Sequence, residues 1–208
     1  MEVYNRQENA NPGSKRSEFL RFVRSVFYYL PVTLCLISIF HSSLLVSSQP
    51  LRADENAAVE RAINLLDAKG FEGEAFLLRR LTVFRNTDSW LNSLTQKENA
   101  YAAANFPFNI ITLYPDFFTK AQDDTERAMI LLHEAQHLKV ADEREAYEFA
   151  WRNREKVGWT ILTHGTTESY ITIEAMTRET VPELFSCTDR MWDDCTGNPK
   201  PTTIARTK

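Results

Sequence analysis

The longest apolar stretch of the chain lies near its N-terminus. Residues 25–48 contain no charged side chain, and their apolar centre runs from Val26 to Phe40. The four basic residues nearest before it are Lys15, Arg16, Arg21 and Arg24. A basic flank stays in the cytoplasm while an apolar segment inserts into or crosses the membrane. The pattern therefore predicts a basic cytoplasmic lead over residues 1–24, followed by a targeting segment over residues 25–48.

This targeting segment has two interpretations. Val46 and Ser48 are small residues placed for cleavage before Gln49, as in a signal peptide. However, Val26 to Val46 is also long enough to cross a bilayer, as in an uncleaved signal anchor. A buried core helix is disfavoured because no charged face interrupts the stretch. Both interpretations place the rest of the chain outside the cytoplasm, as a secreted, periplasmic or membrane-anchored domain, and the anchor adds the membrane as a partner.

After this segment, the apolar positions recur with a helical period. Asp54 can cap a first helix that ends before Gly70. Its apolar stripe, at i, i+3, i+4 and i+7, consists of Val59, Ala62, Ile63 and Leu66. The stretch from Ala75 to Phe84 is either a second helix or a helix that becomes extended at its end.

One β-prone run and three further helices follow. The strand is Asn109–Tyr114, either an edge strand able to pair with an extended peptide or an ordinary core strand. The helices are Thr125–Leu138, Glu143–Lys156 and Thr167–Glu179. At the start of the first of them, Asp123 and Glu126 have the spacing of a capping box. The pattern predicts an α+β domain over residues 49–196, mostly helical with a small sheet, and a disordered polar tail over residues 197–208.

Composition and charge narrow the class of protein. With 208 residues, 43% of them hydrophobic, the chain can build one ordinary core. From residue 49 onward, 19 Lys+Arg stand against 25 Asp+Glu, a net charge of −6. No basic stripe and no aromatic stacking platform are visible, so the sequence argues against a nucleic-acid partner.

Three cysteines agree with an exported domain. Cys187 and Cys195 form a close pair in the predicted exported part, and we expect a disulfide between them. Two free thiols are the alternative. Cys35 lies in the apolar segment behind Leu34, which is not the small residue that a lipidated cysteine needs, so we predict no lipidation.

One pentapeptide, His-Glu-Ala-Gln-His, indicates the chemistry of the domain. It places His133 and His137 four residues apart in a helix-prone run without proline or glycine. Such imidazoles project from adjacent turns of one helix face and can hold one zinc ion. Glu134 lies about 100° round the helix, where its carboxylate reaches a water on the metal rather than the metal itself. The motif predicts a zinc site with a general base, the alternative being histidines four apart by chance.

A catalytic zinc usually has three protein ligands, so one ligand remains to be identified. The downstream candidates are Glu143, Glu145, Glu148 and His164. In an unbroken helix, Glu145 would lie about 12 Å along the axis from His137 and could not reach the metal. The chain must therefore reverse between Lys139 and Asp142, where Asp142 can cap a new helix but no glycine eases the turn.

These residues resemble the zincin metallopeptidases, and among them the gluzincins, whose third zinc ligand is a glutamate. The resemblance covers about residues 109–150: a strand, the motif helix and a run that begins Glu-Arg-Glu-Ala at Glu143. That run is similar to the Glu-x-x-Ala pattern of several gluzincin families, including one of phage-repressor-cleaving and stress-response proteases. It implies a zincin-like fold, Zn²⁺ as cofactor and Glu143 as third ligand, with Glu145 as the rival. The gap from His137 is shorter than in most of those families, and Tyr147 stands where several have an aspartate or asparagine that supports a histidine.

The sequence thus predicts an exported or membrane-anchored zinc metallopeptidase acting on peptides or proteins. Glu134 is its expected general base, and His133, His137 and Glu143 are its expected zinc ligands. The candidate donors to the developing oxyanion are Tyr147, His164 and Tyr170. The alternative interpretation of His164 is a surface residue. One alternative is a binding or scaffold protein that has a zincin fold without turnover. A second is a membrane-anchored structural protein without metal. In that case the glutamates are solvated helix residues, and Glu148 pairs with Arg152.

Overall fold

The computed structural model describes residues 12–94, 101–188 and 193–196. The chain divides into two compact units, residues 1–45 and 46–208. The second unit is mostly helical with one three-stranded sheet, so the predicted α+β class is confirmed. The predicted disordered tail, residues 197–208, and the first eleven residues of the predicted basic lead lie outside the described residues.

The first unit contains a single long helix in its described part, α1, Pro12–Val46. Within α1, Leu20–Val46 is long and apolar enough to cross a membrane by length and composition, a property that signal sequences share. The polar composition of residues 1–18 indicated a disordered lead, but α1 extends back to Pro12. Proline is tolerated in the first turn of a helix, where its missing N–H would have no partner, so α1 can begin at this residue.

The second unit begins with two helices. Helix α2 is Ala53–Ala68, and its predicted apolar stripe is fully buried apart from 2% exposure of Val59. The predicted N-cap, Asp54, is wrong. The N-cap is Arg52, two residues earlier, whose backbone N–H donates to the Glu55 carboxylate at 2.7 Å. Helix α3 is Glu72–Arg80, after which the chain becomes extended.

The sheet contains three short strands: β1 Val83–Arg85, β2 Ala102–Asn105 and β3 Ile110–Leu113. Their order is β1-β3-β2, with β1 parallel and β2 antiparallel to β3. The predicted strand is therefore confirmed as β3, but its interpretation as an edge strand is wrong. All four β3 residues are buried between two neighbours, and the edge beside the motif helix is β2.

Five further helices follow within the described part of this unit. They are α4 Pro115–Thr119, α5 Asp124–His137, α6 Glu143–Val157, α7 Ile161–His164 and α8 Glu168–Thr180, and one-turn 3-10 segments lie at Asn92–Leu94 and Pro182–Phe185. The predicted helices α5, α6 and α8 are confirmed within one or two residues. The sequence did not reveal α4 or α7, because a helix of one turn is too short to show a period.

The core is built around α5. This helix packs against α2 and α3 on one side, against β2, and against α6. Its side chains Ala128, Leu131, Leu132 and Ala135 are completely buried. Since α5 is held on several sides, the position of its histidines is fixed by the packing of the whole unit.

The predicted disulfide between Cys187 and Cys195 is present. It lies beside Asp194, whose carboxylate accepts hydrogen bonds from the Trp151 indole at 2.9 Å and from the Arg154 guanidinium at 2.5 Å. Arg154 and Asp194 are both almost fully buried. The C-terminal loop is thus fastened to α6 by a buried ion pair, while the disulfide closes the loop on itself.

Candidate metal centre

Asp123 caps the N-terminus of α5, as the sequence predicted, although Glu126 does not complete the capping box with the Asp123 N–H. One Asp123 carboxylate oxygen accepts from the backbone N–H groups of Thr125 and Glu126, at 2.9 and 3.0 Å. In turn, the Glu126 carboxylate accepts from the backbone N–H of Gln122 at 2.6 Å. These contacts fix where the helix begins, and the helical period then sets the direction of the motif side chains.

The two motif histidines face each other across one helical turn. Their ring centroids are 4.8 Å apart, and the Nε2 atoms of His133 and His137 are separated by 3.1 Å. On the far side of the His137 ring, Nδ1 donates to the Ala141 carbonyl at 3.1 Å. This contact selects the tautomer whose Nε2 lone pair points toward His133, which is the arrangement that metal-binding histidines usually have.

The required reversal occurs directly after the motif. The backbone N–H groups of Lys139 and Val140 bond to the carbonyls of Gln136 and His137. Val140 takes the left-handed conformation, with φ of 69°, that a glycine would normally supply. The missing glycine thus did not prevent the turn, because an exposed valine adopts this conformation instead.

Helix α6 begins at once, and its cap separates the two rival glutamates. The side chain of Asp142 accepts from the Glu145 backbone N–H at 2.8 Å, while the Glu145 carboxylate accepts from the Asp142 N–H at 3.3 Å. Glu143, one position after the cap, turns toward the motif. Its Oε2 atom lies 3.5 Å from Nε2 of both His133 and His137. The structure therefore brings Glu143, and not Glu145, to the histidines.

The separations within this group fit a metal ion. The ligand atoms of His133, His137 and Glu143 lie within 4.8 Å of one another. Two ligand atoms at zinc distances in a tetrahedral site are about 3.3 Å apart, and the three closest separations here are 3.1, 3.5 and 3.5 Å. The residues present thus suit a zinc ion with two imidazoles, one carboxylate and one further position.

The charges around His133, His137 and Glu143 also favour a cation between these residues. Burial lowers the pKa of His137, but Glu143, Glu134 and the Ala141 carbonyl outweigh it and raise this pKa to about 9. Conversely, His133 and His137 hold the pKa of Glu143 far below its ordinary value. Two carboxylates beside two imidazoles stabilise positive charge between them, whether a proton or a metal ion carries it.

Glu134 is the least solvated acid of the site. Its side chain is 6% exposed, and its Oε2 atom has no hydrogen-bond partner among the described residues. Burial raises its pKa, while His133, His137 and a backbone hydrogen bond from Ala104 in β2 act against that rise. A buried carboxylate with one unused oxygen, next to the proposed ligands, has the properties of a general base.

The structure places the three candidate donors in three different surroundings. Tyr147 does lie beside His133, with ring centroids 4.4 Å apart, but its hydroxyl donates to the Met176 sulfur at 3.4 Å rather than to a histidine. His164 is neither a surface residue nor near the motif histidines. Its Nε2 contacts the Asp123 carboxylate at 3.0 Å, at the opposite end of α5. Tyr170 is buried against Trp159, with ring centroids 4.6 Å apart.

Two parts of the site were missed in the sequence. The first is β2, whose residues are Ala-Ala-Ala-Asn and lack the β-branched side chains that mark a strand. The second is a cavity of about 150 Å³ that adjoins His133, Glu134 and Glu143. Its apolar wall includes Trp151 and Trp159, which appeared in the sequence only as isolated aromatic residues. The period of α6, which places Tyr147 and Trp151 four residues apart, was the available signal.

No protein-family model matches this chain, and neither the curated proteins nor the solved structures contain a match. The case for a function therefore rests on the geometry of the site.

Proposed function

We propose that this protein is an exported or membrane-anchored zinc metallopeptidase that hydrolyses peptide bonds with an activated water. The observation that carries the proposal is the buried Oε2 of Glu134, which has no hydrogen-bond partner among the described residues, beside the cluster of His133, His137 and Glu143. A purely structural metal site has no need for such a base.

Each residue of the cluster has a defined task. His133, His137 and Glu143 would hold the zinc ion, and Ala141 would keep the His137 ring oriented through its carbonyl. Zinc in this position supplies Lewis acidity, polarising the scissile carbonyl and lowering the pKa of a nearby water. Glu134 takes the proton of the attacking water and delivers it to the leaving amine.

Strand β2 offers the place for an extended peptide. It pairs with β3 on one side, and the described residues supply no strand for its other side. Peptide strands commonly bind by adding to such an edge through backbone hydrogen bonds. Because Ala104 of β2 bonds to Glu134, a peptide paired there runs past the general base.

Two features support a location outside the cytoplasm. The disulfide between Cys187 and Cys195 is of a kind that persists in oxidising compartments. The apolar part of α1, Leu20–Val46, has the length and composition of a signal sequence or an anchor. Each is compatible with the domain that begins near Val46 functioning outside the cytoplasm.

The proposal is tested by comparing the full chain with its Glu134→Gln variant on an unbiased peptide library, with zinc supplied. We expect the parent to cleave and the variant, which keeps the shape of the side chain but loses the base, to be at least about 10²-fold slower. Equal cleavage by both would reject the role of Glu134. Zinc binding without cleavage by the parent would favour the binding or scaffold alternative.

A further inference from the structure

The chain that follows α1 is part of the folded second unit from its first residues. Helix α1 ends at Val46, and the second unit begins at the same residue. Ser48, two residues later, is buried, and Leu51 belongs to the hydrophobic core of this unit. A flexible linker would leave such residues in solvent. The chain therefore passes from the apolar helix to buried positions within two residues.

Hydrogen bonds hold this start of the unit against the segment that follows β1. The Ser47 hydroxyl accepts from the Trp90 backbone N–H at 3.2 Å. At the other end of the pairing, Pro50 forms an antiparallel bridge with Arg85. The two segments thus run in opposite directions beside each other, and this pairing places Trp90 next to the first residue after α1.

These contacts argue against cleavage before Gln49. Cleavage there would remove the Ser47 acceptor and the buried Ser48 from the fold. It would also leave a charged amino group at the Gln49 nitrogen, whose N–H now donates to the Thr87 hydroxyl at 2.8 Å. In addition, a cleavable signal has an apolar region of about 7–15 residues, whereas Leu20–Val46 contains 27 residues. The length of the helix and the contacts after it both favour an uncleaved anchor.

Aromatic residues stand at two levels whose separation matches a bilayer. Tyr28 and Tyr29 are exposed on α1, shortly after its basic residues. Val46 is 18 residues beyond Tyr28, which is about 27 Å of helix and close to the hydrocarbon thickness of about 30 Å. Tyrosine and tryptophan are enriched at both membrane interfaces, where one end of the ring system is apolar and the other is wet.

Trp90 lies at the second of these levels and is 42% exposed. Its position follows from its bond to Ser47, directly after the end of α1, and requires no particular angle between the helix and the rest of the chain. An indole this close to the end of a membrane-spanning helix reaches the headgroup region, since that region extends several ångströms beyond the hydrocarbon core.

We propose that α1 is retained as a membrane anchor and that the loop carrying Trp90 makes a second contact with the same bilayer. The partner is the lipid headgroup region on the side of the second unit, and the Trp90 indole is the group that enters it. The inference takes the anchored form of the proposed function and does not depend on the peptidase activity.

The first test measures whether the N-terminal segment is retained. The full chain, with a C-terminal tag, is produced in a bacterial host in which a secreted reporter is correctly processed. Mass spectrometry is then applied to the tagged protein from the membrane and soluble fractions. We expect the intact chain, 24.0 kDa plus the tag, in the membrane fraction. A chain that begins at Gln49 or later, or an intact chain in the soluble fraction, would overturn the proposal.

The second test measures the depth of Trp90 in phosphatidylcholine nanodiscs. The chain contains four tryptophans, so the Trp90 signal is the difference in fluorescence between the parent and Trp90→Phe. The lipids carry a nitroxide quencher either on the headgroup or at the end of an acyl chain. The matched control is Leu162→Trp in the Trp90→Phe chain, because Leu162 lies on α7 and is 81% exposed.

We expect the headgroup nitroxide to reduce the Trp90 signal at least about twofold, and the acyl-chain nitroxide to reduce it less. The tryptophan introduced by the control should keep its signal with both lipids. A Trp90 signal quenched no more than that of the control would overturn the second membrane contact. Neither test measures cleavage. If peptide cleavage fails while the anchor is retained and Trp90 is quenched, only the peptidase function is rejected.

Discussion

Two glutamates in the first turn of α6 lie two residues apart and have different environments. Glu143 contacts both histidines at 3.5 Å, whereas Glu145 is engaged with the backbone of Asp142 in the capping box. The sequence could not separate them, because their order along the chain does not reveal which of them the helix start directs toward the motif. The cap decides it, since residue Asp142 fixes the phase of α6.

We predict that Glu143→Gln weakens zinc binding by more than about 100-fold, beyond the effect usual for an outer-shell partner. Glu145→Gln should retain zinc affinity within a few-fold and barely change stability, because glutamine also serves in a capping box. Competition with a chromophoric chelator measures both affinities. Equal losses in the two variants would contradict the assignment of Glu143.

A second residue-scale prediction concerns the turn after the motif. Val140 is 67% exposed and has φ of 69°, a conformation that costs a β-branched residue roughly 1–2 kcal/mol. Val140→Gly should therefore raise the free energy of unfolding by about 0.5–1 kcal/mol, after the greater flexibility of glycine is subtracted. Ala141→Gly, the neighbouring control, should lower it. Urea unfolding measures both, and a loss of similar size in the two variants would show that Val140 is not strained.

At the scale of elements, the joint between α6 and the disulfide loop depends on a buried ion pair. Asp194→Ala leaves the Arg154 guanidinium buried without its carboxylate, so we expect a loss of about 3–5 kcal/mol in unfolding free energy. On the same helix, Glu148 and Arg152 form the predicted exposed pair at 2.7 Å. Glu148→Ala should cost less than about 1 kcal/mol. Similar values for the two variants in urea unfolding would mean that the loop does not brace α6.

The cap of α5 should contribute to acid sensitivity. Burial raises the pKa of Asp123, but hydrogen bonds from His164 and from the backbone of Glu126 and Thr125 outweigh it, so this pKa lies below its ordinary value. The ionised Asp123 carboxylate therefore stabilises the fold at pH values above its unfolded-state pKa, near 3.9. This stabilisation is lost as the pH falls through the lower pKa of the folded state.

Asp123→Asn keeps the capping geometry but removes this titration. We predict that the variant is less stable than the parent at pH 6, by up to about 1 kcal/mol because the carboxylate is half exposed, and that the gap closes below pH 3. Urea unfolding across this pH range measures it. A gap that stays constant down to pH 2.5 would show that the ionised carboxylate adds nothing.

At the scale of the whole molecule, local sequence signals predicted much of the architecture. The apolar positions of α2 and α6 recur with a helical period, β3 was visible as a β-prone run between Pro107 and Pro115, and α5 and α8 were visible through their helix-forming residues and their start and stop signals. The position of β3 in the sheet was not, since strand order depends on β2, whose alanines carry no strand signal. Contacts between segments distant in sequence, such as that of Asp194 with Trp151, leave no local pattern.

In the candidate site, too, the parts within one element were predictable and the contacts between distant elements were not. His133, Glu134 and His137 could be recognised because their chemistry depends on spacing within one helix. The apolar cavity could not, because Ala102, Trp159 and Met176 come from separate elements and meet only in the folded chain. A cluster that needs one helix is visible in a sequence, whereas a space between four elements is not.

The central claim is that His133, His137 and Glu143 hold one zinc ion, and elemental analysis of the purified full chain tests it most directly. The account predicts one zinc per chain in the parent and none in His137→Ala, with both proteins folded by circular dichroism. A correctly folded parent that binds no zinc, even when zinc is supplied, would contradict the metal centre and the peptidase function that depends on it.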